Sequence, residues 1–259
     1  RPRDWSSDVC SSDLAFEAAH DDYSAIMLKA LAARLAEAFA EKPEVNVQRR
    51  ARENSGLVRE DYFDWLRAAR DIAGAADRPN LAVIMVGSND RQVFREAGAP
   101  VELRSARWQQ LYGERVEAIT RIFNDRKIPL VWVGLPIMKN DRFSADMAAF
   151  NEIFKERASR AGTTFIDAWE PFLDDRGLYA AYGPDVNGQF QKLRAGDGVH
   201  FTRAGARKLA FFLEAEIRRA MDGARPKVDL EVAALAAQQA PAAPRSEEHT
   251  SELQSRGLI

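Results

Sequence analysis

The stretch Asp197-Gly-Val-His-Phe-Thr202 sets a carboxylate three residues ahead of an imidazole. In a turn before a helix, Asp197 can accept a hydrogen bond from one ring nitrogen of His200. That fixes the tautomer and leaves the other nitrogen to take a proton. Two further stretches offer hydrogen-bond donors. Glu53-Asn-Ser-Gly-Leu-Val-Arg-Glu-Asp61 places Gly56 after a strand-like run, where a backbone N–H can point at a ligand. Val86-Gly-Ser-Asn-Asp-Arg-Gln92 places the side-chain amide of Asn89 just after a buried run. Donors aimed at a developing oxyanion, together with an oriented base, are the equipment of acyl transfer. Each feature alone has a plainer reading: Gly56 as a turn residue, Asn89 with its neighbour as a helix cap, His200 as a structural histidine. Their conjunction in this order favours chemistry.

Strands and helices must alternate to position these groups. Apolar spacing predicts helices over Tyr23–Ala40, Arg59–Gly74, Arg104–Lys127, Ser144–Gly162 and Thr202–Met221. Val45–Ala51 alternates like a half-buried strand, while Leu81–Gly87, Pro129–Leu135 and Thr163–Trp169 are apolar runs of the kind buried in a parallel sheet. The expected class is three-layer α/β/α with a parallel sheet, whose functional groups gather at the carboxyl ends of the strands. Trp65, Trp132 and Trp169 are expected in the core or in pocket walls. Arg91, Asn187 and Gln189 either line a polar cleft or sit in surface turns, and Ser55 and Ser88 support the turns beside the donors.

Gly56, then Gly87-x-Asn89-Asp90, then Asp197-x-x-His200 before the last helix resembles the SGNH (GDSL-type) hydrolases. More specifically, NSGLVREDYFDW, GSNDRQ, VWVGLPIM, YGPDVNGQ and DGVHFTRAGARKLA resemble the DUF459 branch of that superfamily, over roughly Leu31 to Met221. The resemblance implies a flavodoxin-like sheet of order 2-1-3-4-5. It also implies that Gly56 and Asn89 form an oxyanion hole, that His200 is the general base and that Asp197 orients it. The expected activity is hydrolysis of an ester, such as an O-acetyl group of a carbohydrate or cell-envelope polymer, and the expected partner is a small-molecule or glycan ester. A periplasmic or secreted location follows from the resemblance alone. The rival reading is a non-catalytic envelope protein that keeps the cleft for binding.

The superfamily's nucleophile stands in a Gly-Asp-Ser block after the first, central strand, and this chain has no such block. Ser24 is the nearest serine to the expected place, and the nucleophile is left unassigned. The ends suggest why. Asp4–Leu14 and Arg245–Ser255 correspond to translations of the two strands of one common sequencing adapter. Residues 1–14 and 245–259 are therefore expected to be foreign, 15–222 to be an N-terminally incomplete hydrolase domain with its first strand missing or replaced, and 223–244 to be an Ala/Pro-rich tail.

Composition narrows the classes further. The chain has 259 residues, 46% of them hydrophobic, enough for a full core. A net charge of -2 with dispersed bases disfavours nucleic acid. The longest apolar runs fall short of the ~20 residues that span a bilayer. One cysteine, Cys10, and three histidines make a zinc site improbable, and no phosphate-binding glycine loop is present, so no metal or cofactor is expected.

Overall fold

The computed structural model describes residues 55–224 and scattered positions between 33 and 52. The three expected parallel strands form, each shorter than its apolar run: β1 (Ala82–Ile84), β4 (Leu130–Val133) and β5 (Thr164–Ile166). Their order in the sheet is β1-β4-β5. Ala82 pairs with Leu130, and Val131 with Thr164, both in parallel register. β4 is buried at all four positions, as expected for the middle strand of the three. Of the expected strand over Val45–Ala51, the described positions 47, 48 and 50 are not in a strand, and the others lie outside the described residues. The expected place of the first strand, Ser24 and Cys10 also lie outside the described residues.

Between residues 55 and 224, four α-helices accompany the sheet. α1 (Trp65–Gly74) starts six residues later than its periodicity predicts, because Asp64 caps it by accepting from the Arg67 N–H at 2.8 Å. α2 (Ala106–Asp125) is capped by Ser105, and α3 (Asp141–Arg160) begins three residues early because Asn140 caps it from the Phe143 N–H. α4 (Arg203–Ala224) runs past the expected end at Met221. None of the described helices is long and apolar enough to cross a membrane.

Two short hairpins were not legible as strands. β2 (Phe94–Glu96) and β3 (Ala99–Val101) are joined through Ala97 and Gly98, both at positive φ, the signature of a tight hairpin turn. β6 (Tyr182–Pro184) and β7 (Phe190–Lys192) enclose a turn in which Asp185 accepts from the Asn187 and Gln189 N–H groups. This places Asn187 and Gln189 in the turn alternative left open above.

The core is aromatic where α2 and α3 meet. Trp108 stacks on Tyr112 at 4.7 Å and on Phe150 at 5.1 Å between centroids. Trp132 of β4 stacks on Phe154 and donates to Thr120. Trp132 is thus a core residue, its N–H satisfied as burial requires.

Candidate active site

Gly56 sits in a loop, Ser55–Val58, that is gripped on both sides. The Asp90 carboxylate, fully buried, accepts from the Leu57 N–H at 2.9 Å, the Val58 N–H at 2.8 Å and the Tyr112 hydroxyl at 2.8 Å. Arg115 of α2 donates to the carbonyls of Leu57 and Val58 and pairs with Glu60 at 3.1 Å. The Asn89 side-chain amide donates to the Ser55 carbonyl at 3.2 Å. Ser55 Oγ donates to the Arg52 carbonyl and accepts from Trp65 Nε1, so it serves the turn. Gly56 is required here by packing. A Cβ at this position would overlap the Asp90 carboxylate, so only glycine lets that carboxylate reach the two amides beyond it.

This arrangement commits the amides at 57 and 58, while the Gly56 N–H has no acceptor among the described residues. The Asn89 amide uses one of its two N–H bonds on Ser55, which fixes its orientation and leaves the second for another acceptor. Burial, the largest influence, raises the pKa of Asp90 above the usual carboxylate range, against the opposing hydrogen bonds from Leu57, Val58 and Tyr112. Asp90, Tyr112 and Arg115 were missed by sequence reasoning. Only the adjacency of Asp90 to Asn89 signalled any of them.

Asp197 and His200 meet as their spacing predicts. His200 Nδ1–H donates to one oxygen of the Asp197 carboxylate. The other oxygen accepts from the backbone N–H groups of Val199 at 2.9 Å and His200 at 3.0 Å. One carboxylate therefore shapes the turn and holds the ring it carries. Burial is the largest single influence on Asp197 and opposes its ionisation. The hydrogen bonds from the His200 ring and the two amides together prevail and hold its pKa below the ordinary range. His200's side chain is 12% exposed, with its Nε2 buried, while Asp197's is 37% exposed.

The turn is docked onto the segment that follows β4. The Lys139 N–H donates to the Gly198 carbonyl at 3.0 Å. Gly198 has φ +72, and a Cβ there would overlap Lys139. The segment itself is fixed to α3 by Asn151, which exchanges two 2.7 Å hydrogen bonds with the Leu135 backbone. Asn89 follows β1, and β1 and β4 are parallel neighbours. Asn89 with the Gly56 loop it holds at Ser55, and Asp197 with His200, therefore lie at the carboxyl-terminal end of one sheet, where ligands bind in open parallel sheets. Arg91 pairs with Asp146 at 2.7 Å and lies over the Phe143 ring.

The fold is shared with solved hydrolases. An acetyl xylan esterase matches at TM-score 0.54 and 14% identity, covering 74% of this chain and 95% of that one. An α/β hydrolase from the metagenome of Lake Arreo, Spain, matches at TM-score 0.52 and 18% identity, covering 77% and 83%. At these identities the likeness concerns the fold alone. Residues 25–216 match the family model described as "Protein of unknown function (DUF459)". With most of its length inside that match, the chain belongs to the DUF459 family, and it shares its α/β fold with the two hydrolases.

Proposed function

We propose that the chain is the greater part of a serine acyl hydrolase that cleaves an ester, with O-acetyl groups of a carbohydrate or cell-envelope polymer as the substrate class. A serine N-terminal to the described residues supplies the nucleophile. His200 takes its proton at Nε2 as Oγ attacks the ester carbonyl, and the Gly56 and Asn89 N–H groups receive the oxyanion of the tetrahedral intermediate. His200 then returns the proton to the departing alkoxide, and water hydrolyses the acyl-enzyme by the same route. Asp197 holds the imidazole throughout. A periplasmic or secreted location goes with this reading, and the esterase among the fold neighbours suggests its substrate class.

The observation that carries the reading is the loop at Gly56. Its neighbouring amides are tied to Asp90, its carbonyls to Arg115 and Asn89, and the Gly56 N–H is uncommitted among the described residues. A donor held in place before the reaction needs no reorganisation when charge develops. Asn89→Ala should lower kcat for p-nitrophenyl acetate by on the order of 100-fold or more. Near wild-type turnover would remove Asn89 from the mechanism. A protein that binds acetylated glycan without turnover would favour the binding role instead.

A further inference from the structure

Arg194 is fully buried, an unusual place for a guanidinium. It lies over the Phe201 ring at 4.4 Å, the Tyr179 ring at 5.1 Å and the Phe172 ring at 5.7 Å. One of its terminal nitrogens donates to the Ile137 carbonyl at 2.7 Å, and the other to the Val199 carbonyl at 2.9 Å and, at 3.4 Å, to the Gly198 carbonyl. The planar fork thus ties the segment after β4 to the turn that carries His200.

The two peptide groups on either side of Val199 are held at both ends. Their N–H groups, those of Val199 and His200, donate to Asp197, while their C=O groups, those of Gly198 and Val199, accept from Arg194. Each peptide dipole therefore turns its positive end to the carboxylate and its negative end to the guanidinium. Hydrogen bonds in such a chain polarise one another. We propose that Arg194 is a positioning residue for the general base: through these two peptides it keeps Asp197 ionised and aimed, and so holds His200 in the Nδ1–H tautomer. The proposal rests on the assignment of His200 as base. Lysine cannot replace the fork, because a single ammonium lacks the spread to reach Ile137 and Val199 together.

Nitrogen-15 NMR of the His200 ring and carbon-13 NMR of the Asp197 carboxyl test this on the chain as it stands, without any need for turnover. The wild type should show His200 predominantly Nδ1–H once neutral, and the Asp197 titration below the ordinary carboxylate range. Arg194→Met should make Nδ1–H the minority form and move the Asp197 midpoint upward. Arg194→Lys should lie between, and it decides the matter if the methionine variant does not fold. Ile217→Ala, a buried change on α4, serves as a destabilised control and should leave both signals unmoved. Folded Arg194 variants with wild-type tautomer and Asp197 midpoint would overturn the proposal. A wild-type ring lacking the Nδ1–H form would instead overturn the pairing on which the proposed function stands.

Discussion

At the scale of single residues, two aspartates, Asp90 buried and Asp197 exposed, carry opposite shifts, and the signs separate them. Asp90's pKa is raised, first by burial, so its contribution to stability is present below the ordinary carboxylate range and declines as pH rises through the raised value. Asp197's is lowered, so its contribution is present above the ordinary range and is lost as pH falls through the lowered value. Asp197→Ala should therefore melt below the wild type at neutral pH, with the gap closing as the solution is acidified. Melts across that range that run parallel would contradict the assignment. Asp90→Asn keeps the shape but turns a donor toward one of the two amides or the Tyr112 hydroxyl. It should cost about 2–3 kcal/mol in urea denaturation, the scale of a lost hydrogen bond to a charged group. A cost within about 0.5 kcal/mol would mean that the grip on the Gly56 loop is not needed for folding.

At the scale of elements, the site is made of turns pinned to a sheet end. Asp197 and His200 were legible because their pairing is local and needs only one turn before one helix. The contact of Asn89 with the Gly56 loop, at the Ser55 carbonyl, spans more than thirty residues, and that loop is held by Asp90, whose side chain reads in sequence as an ordinary surface carboxylate. Arg194 was illegible for the same reason: arginine reads as solvated unless the structure encloses it. The start of α1 was misjudged because apolar spacing ran on through a turn that the Asp64 cap ends. Docking of the histidine turn makes its own prediction. Gly198→Ala must place a side chain at positive φ against Lys139, and it should cost about 2 kcal/mol or more while loosening the His200 turn. An unchanged melting temperature would contradict the packing described for Gly198.

At the scale of the whole molecule, apolar runs alternating with amphipathic helices made the α/β class legible. The lengths of the strands were not, because a run of buried residues continues beyond the few that pair. The aromatic stack of Trp108, Tyr112 and Phe150 shows how the layers serve the site, since Tyr112 both fills the core and donates to Asp90. The core and the Gly56 loop are thus one packed unit, and the histidine turn is tied to the same sheet through the segment after β4. The measurement that tests the central claim most directly is kcat/KM for acetyl-ester hydrolysis by the protein and by its His200→Ala variant. The account predicts measurable turnover in the first and a loss on the order of 1,000-fold or more in the second. A His200→Ala protein that keeps the wild-type rate would contradict it.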